Sequence, residues 1–278
     1  MIIGYLNIPR IDVVVAETVD QALKALDDEP EREIMAAGTE IITSLTTGER
    51  RTRKFVDIGK IRELKNVVVA DGRANVGALV THHQLASTFG KQIPAFHTFF
   101  QNYSSPAVSY LATTGGSIML KRATEDIIPI LLTLDAELIF ATKEGQKRVS
   151  LDEFLRRKLE IRGLLEFVSF RLSAGCWFDK LWMGISRFPL MSVSVDVSGK
   201  NIKVAVSHKD FETPGRVFSV EKFLENRPLT KENIEKAGEL LSKSINPVDD
   251  VFASSWYRKK VAGVLLERLL QRSVGGAV

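Results

Sequence analysis

Short apolar runs alternate with amphipathic stretches along the 278 residues of the chain, and this pattern predicts a mixed fold of strands and helices. Apolar or alternating runs predict strands at 2–8, 34–37, 55–58, 66–70, 74–78, 137–142, 164–172, 190–197 and 202–207. Apolar residues at helical spacing predict helices at 19–26, 41–45, 82–85, 93–100, 127–134, 151–155, 220–226, 233–244 and 255–271. The pattern changes beyond Ala174-Gly175, which indicates a domain boundary near 160–175.

Turn and cap residues add detail to this picture. Asp71-Gly72 predicts a tight hairpin turn, because both residue types tolerate the positive φ that such turns require. Thr18 and Thr81 stand where a hydroxyl caps the following helix. Asp126 precedes the apolar helix at 127–134, where its carboxylate either caps the helix or hydrogen-bonds a cofactor hydroxyl.

Composition is that of an ordinary globular protein, with 45% hydrophobic and 26% charged residues. A net charge of +4 is too small for a dedicated nucleic-acid binder. The single cysteine, Cys176, excludes internal disulfides and four-cysteine metal sites, and we interpret it as a buried hydrophobe in a reducing, cytoplasmic setting. No apolar run approaches the ~20 residues of a membrane span, and the N-terminal residues do not resemble a signal peptide.

Two charged features have ordinary interpretations. The cations Arg50, Arg51, Arg53 and Lys54 are interpreted first as a solvated connector, then as a docking surface for an acidic protein, and last as a nucleic-acid site. The adjacent histidines His82 and His83 would point about 100° apart on a helix, which disfavours a shared metal ion. We therefore predict no metal ligands in the chain.

Two small-residue stretches, 36–40 and 113–117, are candidates for binding a diphosphate. Glycines allow backbone amides to approach phosphate oxygens, and the neighbouring hydroxyls add donors. A tight turn between a strand and a helix explains either stretch equally well. The Rossmann, Walker, GxSxG and HExxH motifs are absent, which excludes the corresponding nucleotide-binding folds and leaves the common hydrolase classes without support.

In their order along nearly the whole chain, these pieces resemble the FAD-binding subunit of the molybdenum hydroxylases, the family of xanthine dehydrogenase and aerobic carbon monoxide dehydrogenase. Residues 36–41 resemble the family's Ala-Gly-Gly-Thr-Asp segment, and 113–117 resemble its Thr-Ile-Gly-Gly-Asn segment. Asp126 and the Leu-Asp-Ala at 134–136 fall where the family has the same residues. Residues 255–258, Ser-Trp-Tyr-Arg, resemble its C-terminal Tyr-Arg helix.

The resemblance implies an α+β fold: a two-part FAD-binding domain of the PCMH/VAO type followed by a smaller α/β domain. We place the FAD-binding domain at 1–165, with its two parts divided near 58, and the C-terminal domain at 166–278, with a three-stranded antiparallel sheet plus helices. No catalytic acid or base is implied. The implied FAD-binding residues are Ala36, Ala37, Gly38, Thr39, Glu40, Ile41, Tyr103, Thr113, Thr114, Gly115, Gly116, Ser117, Asp126 and Lys180.

The function implied by the resemblance is electron transfer. In the family, a large subunit with a molybdenum cofactor oxidises the substrate, a small subunit carries [2Fe-2S] clusters, and FAD passes the electrons to NAD or another acceptor. Ala37 replaces a family glycine and Ser117 replaces the usual asparagine, so the alternative is an assembly subunit that has lost FAD. We expect that restoring glycine and asparagine at these positions tightens FAD binding.

Overall fold

A computed structural model describes residues 9–103, 105–183, 188–208 and 214–275. The strands are β1 Asp12–Val15, β2 Glu33–Met35, β3 Lys54–Asp57, β4 Val67–Ala70, β5 Arg73–Gly77, β6 Glu137–Thr142, β7 Gly145–Ser150, β8 Leu164–Arg171, β9 Cys176–Met183, β10 Phe188–Asp196, β11 Lys203–His208 and β12 Gly215–Arg216. The helices are α1 Val19–Asp28, α2 Ile41–Thr46, α3 His82–Phe89, α4 Pro94–Asn102, α5 Pro106–Leu111, α6 Thr114–Leu120, α7 Ile127–Thr133, α8 Leu151–Arg156, α9 Phe218–Leu224, α10 Lys231–Ser244 and α11 Ser255–Gly275. The strand predicted at 2–8 lies outside the described residues.

The first layer is a small parallel sheet with the strand order β1-β3-β2. Helix α1 packs beside it and begins at the predicted cap, where the Thr18 hydroxyl accepts a hydrogen bond from the backbone amide of Gln21 at 3.2 Å. Ala22 on α1 and Val56 on β3 are fully buried together. The sheet places the end of β2, and with it residues 36–40, on the side of the second layer.

The second layer is an antiparallel sheet with the order β4-β5-β8-β6-β7. The predicted turn between β4 and β5 is confirmed, since Asp71 and Gly72 have φ of 51° and 72°. Strand β8 pairs with both β5 and β6, so this sheet extends through Arg171, beyond the boundary predicted at 165. The change of pattern at Ala174-Gly175 marks the end of the sheet better than residue 165 does.

The third layer is an antiparallel sheet with the order β12-β11-β10-β9, which has four strands where three were predicted. Strand β9 was missed because its buried face carries Cys176, Phe178 and then Lys180, and a lysine interrupts the expected apolar alternation. Helices α10 and α11 pack together over this sheet and bury residues such as Leu241 and Leu266.

Helices α4, α6 and α7 lie between the second and third layers, and α3 packs against α4. The largest core cluster joins Val168 of β8, Phe99 of α4 and Phe178 of β9. Cys176 is fully buried in the same cluster, and burial raises the pKa of its thiol to about 12, so the predicted structural role is confirmed. Among the described helices, none is long and apolar enough to cross a membrane.

Candidate cofactor site

A cavity of about 670 Å³ lies where the three layers meet. It is lined by every residue proposed from the sequence to bind FAD except Thr114. Thr114 is fully buried instead, and both its amide and its hydroxyl donate to the carbonyl of Val80, at 2.9 and 3.0 Å. The size suits a large organic ligand, because ligand pockets are typically a few hundred to about 1,000 Å³.

The first small-residue stretch follows β2 and offers unused backbone donors. Gly38 has a φ of +72°, so the chain turns sharply there before α2 begins. Within the described parts of the chain, the amides of Gly38, Thr39 and Glu40 donate no hydrogen bond. Ala37 is not among the residues with positive φ, so the backbone does not require the family's glycine at that position.

The second stretch differs from the prediction, because its amides are already used. Thr113 caps α6: its hydroxyl accepts from the Gly116 amide at 3.1 Å, and its carbonyl accepts from the Ser117 amide at 3.1 Å. The Gly115 amide donates to the carbonyl of Ala78 at 2.9 Å. A Cβ on Gly115 would lie 2.6 Å from the Cβ of Ala78, so this glycine serves close packing. These amides are already paired within the protein, so their role as phosphate donors stays a prediction.

The side chain of Ser117 joins a buried polar cluster at the cavity wall. Its hydroxyl lies 3.2 Å from Nε2 of His82, whose ring packs edge-on against Tyr103 at 4.7 Å. Burial lowers the pKa of His82 to about 3, so the imidazole is neutral at physiological pH. The pKa of Tyr103 is raised, first by burial and then by the nearby carboxylates of Glu125 and Asp126.

Asp126 and Lys180 form a buried ion pair, with Lys180 Nζ donating to Asp126 Oδ2 at 2.5 Å. The residues are only 3% and 4% exposed. Burial raises the pKa of Asp126, and the positive charge of Lys180 opposes that shift. The second carboxylate oxygen, Oδ1, is also buried and accepts no hydrogen bond from the described residues, although the Ser192 hydroxyl is close enough to favour the ionised form.

Some cavity-lining residues were missed or misread in the sequence. Arg50, interpreted as part of a solvated connector, lines the cavity and pairs with Glu33 and with the Ser44 hydroxyl. Arg122 follows α6 and pairs with Glu40 on the first stretch. The cationic cluster was a detectable signal for Arg50, whereas the pairing of Arg122 depends on the packing of two distant segments.

Comparison with known proteins gives the class of the protein. Residues 9–168 match the family described as the FAD binding domain in molybdopterin dehydrogenase, and residues 198–273 match the CO dehydrogenase flavoprotein C-terminal domain. The chain is therefore a flavoprotein subunit of the oxidoreductase class. More particularly, it belongs to the family of FAD-binding subunits of the molybdopterin dehydrogenases, as the sequence resemblance implied.

Individual relatives match this chain over nearly its full length. The chain is 25% identical to the glyceraldehyde dehydrogenase medium chain of Sulfolobus acidocaldarius, covering 92% of this chain and 96% of that one. It is 24% identical to the xanthine dehydrogenase FAD-binding subunit of Escherichia coli O157:H7, covering 94% and 95%. The structure of quinoline 2-oxidoreductase from Pseudomonas putida 86 superposes with a TM-score of 0.89 at 22% identity, over 98% and 99% of the two chains. These matches confirm the predicted fold class and FAD as the cofactor.

The residues of the cavity fit FAD. The unused amides of Gly38, Thr39 and Glu40 are donors of the kind that bind phosphate oxygens. The unsatisfied Oδ1 of Asp126 is an acceptor of the kind that binds a ribityl or ribose hydroxyl. Gly38, Thr39, Glu40 and Asp126 all line one cavity, so a ligand that carries phosphates and hydroxyls can contact these residues together.

Substitutions at 37 and 38 test the first stretch. Gly38→Ala places a Cβ at ordinary contact distance, 3.5 Å from Ile42, but forces alanine into a left-handed conformation. We expect a loss of about 1 kcal/mol in the free energy of unfolding, together with weaker FAD binding. Ala37→Gly is the matched control: because no positive φ is relieved, FAD affinity should stay within about twofold, which replaces the gain expected from the sequence. Denaturant unfolding and FAD titration measure both; a large gain in affinity for Ala37→Gly would contradict this view of the stretch.

Breaking the buried ion pair tests the link between the layers. Asp126→Asn leaves the ammonium of Lys180 without its carboxylate, and we expect it to lower the free energy of unfolding by about 3 kcal/mol. The double variant Asp126→Asn/Lys180→Met should recover part of that loss, because it removes the buried charge as well. Guanidinium unfolding of Asp126→Asn, Lys180→Met and the double variant measures the coupling energy between the two residues. Additive losses would show that the pair is not coupled.

Proposed function

We propose that this chain is the electron-transfer subunit of a molybdenum-containing hydroxylase or dehydrogenase complex. The observation that carries the proposal is the single cavity shared by both small-residue stretches and by the Asp126–Lys180 pair. In this function a large subunit with the molybdenum cofactor oxidises the substrate, and a small subunit with [2Fe-2S] clusters delivers the electrons to this one.

FAD, when bound, supplies the redox chemistry, by accepting electrons from the partner's clusters and releasing them to NAD or another acceptor. The protein's own groups bind and orient the cofactor. The amides of Gly38, Thr39 and Glu40 donate toward its phosphates, and the Asp126 carboxylate accepts from its hydroxyls. The positive charge of Lys180 opposes the rise that burial causes in the pKa of that carboxylate. No side chain is assigned as a catalytic acid or base.

The chain matches subunits that are named for several different reactions. These matches support membership in such a complex, but they do not identify one substrate. The relatives include subunits of dehydrogenases for glyceraldehyde, xanthine and carbon monoxide at similar identity. We therefore propose no particular substrate. A cytoplasmic location and NAD as the acceptor stay predictions from the family resemblance.

The alternative, an assembly subunit without FAD, was suggested by Ala37 and Ser117. The ordinary backbone conformation of Ala37 removes one of these two reasons. The hydroxyl of Ser117 is hydrogen-bonded to the His82 ring, so an asparagine at 117 would have to replace that hydrogen bond. The gain in affinity expected from Ser117→Asn stays a prediction.

Flavin content decides between the two functions. We expect the purified chain, after incubation with FAD and gel filtration, to retain about one FAD per chain and to show a flavin absorption spectrum. Lys180→Met should retain less under the same conditions, because the Asp126 carboxylate loses its counter-ion. A wild-type chain that folds but retains no FAD would contradict the proposed function and favour the assembly role.

A further inference from the structure

One carboxyl group that lines the cavity, that of Glu125, has no ion-pair partner among the described residues. Of the four acidic residues that line it, three are in ion pairs: Glu33 with Arg50, Glu40 with Arg122, and Asp126 with Lys180. The fourth, Glu125, forms no ion pair with the residues that the structure describes. It is half-buried at the entrance of α7, beside Asp126. When a carboxylate in this position is ionised, no ion-pair partner compensates for the hydration that it loses by burial.

The neighbours of Glu125 leave that cost largely uncompensated. Burial is the main cause that raises the pKa of Glu125, to about 7, and the negative charges of Asp126 and Glu40 add to it. The nearby Ser117 hydroxyl and the positive charge of Arg122 lower it. The other groups of this cluster add no positive charge near neutral pH, since the buried His82 is a neutral imidazole and Tyr103 a neutral phenol.

We propose that Glu125 is protonated in the FAD complex, so that cofactor binding takes up one proton from solvent at this carboxyl. The inference rests on FAD binding in this cavity, as proposed above. A diphosphate brings negative charge into the cavity, and the ligand displaces the water that stabilises an exposed carboxylate. The neutral carboxyl also has an O–H donor, which a carboxylate lacks, so protonation turns an uncompensated anion into a hydrogen-bonding group.

The affinity for FAD should fall as pH rises through the pKa of Glu125. When the pKa of a group rises on binding, affinity does not change with pH below the pKa of that group in the free protein, and it falls with rising pH above that value. With a pKa of about 7 in the free protein, the Kd for FAD should increase about tenfold between about pH 6 and pH 8. The variant Glu125→Gln keeps the size and the hydrogen-bonding capacity but cannot ionise, so its Kd should change less than about twofold over the same range.

The test is an FAD titration of the full-length apoprotein, followed by flavin fluorescence at constant ionic strength. Wild type, Glu125→Gln and Glu225→Gln are compared at about pH 6, 7 and 8, with Glu225 chosen because it is exposed and outside the cavity. We expect wild type and Glu225→Gln to share the tenfold change and Glu125→Gln to lose it. The same slope in Glu125→Gln as in wild type would overturn the proposal.

A second measurement needs no variant. Calorimetric titration of FAD into the wild-type apoprotein at about pH 8, in two buffers with different ionisation enthalpies, gives the number of protons taken up. About one proton supports the proposal, and none overturns it even when FAD binds. Failure of FAD to bind at every pH is a distinct result, which removes the proposed function and this inference with it.

Thermal unfolding of the apoprotein checks independently that Glu125→Gln is folded and that ionisation of Glu125 destabilises the wild type. Since the pKa of Glu125 is raised in the folded state, its ionisation destabilises the fold increasingly as pH rises above the unfolded value. The melting temperature of Glu125→Gln should therefore exceed that of wild type by a margin that grows from about pH 5 to pH 8. A margin that is absent or independent of pH would show that Glu125 is ionised at no cost, which contradicts the proposal.

Discussion

The buried ion pair between Lys180 and Asp126 is the interaction on which the site depends. It joins a strand of the C-terminal sheet to the entrance of a helix in the FAD-binding part, at 2.5 Å and almost without solvent exposure. Two buried charges are costly unless they stay paired, so the pair favours the same arrangement of the two parts that their shared apolar core around Phe99 and Phe178 requires. The cavity lies at that junction, and its shape is therefore a property of both parts together.

The two small-residue stretches around this cavity differ in how their backbone amides are hydrogen-bonded. In the first, at 36–40, the amides of Gly38, Thr39 and Glu40 donate no hydrogen bond to the residues that the structure describes, and Gly38 supplies the turn. The second, at 113–117, uses its amides to begin a helix and to hold Gly115 against Ala78. Two stretches of similar sequence thus differ in whether their backbone amides are already hydrogen-bonded within the protein.

Much of this was predictable from the sequence, because local signals fix local structure. The turn at Asp71-Gly72, the helix caps and the order of family segments gave the fold class and most cavity-lining residues. Strand β9 was missed because a buried lysine, Lys180, breaks the apolar alternation that marks a strand. The packing role of Gly115, and the lack of an ion-pair partner for Glu125 among the described residues, could not be predicted, since both depend on neighbours far away in the sequence.

The most direct test of the central claim is amide hydrogen exchange of the apoprotein with and without FAD. Free amides exchange fast, and hydrogen-bonded amides in packed structure exchange slowly. We expect the amides of Gly38, Thr39 and Glu40 to exchange fast in the apoprotein and to become protected by FAD, and those at 114–117 to be protected in both states. Protection by FAD confined to 114–117, with no change at 38–40, would contradict this expectation.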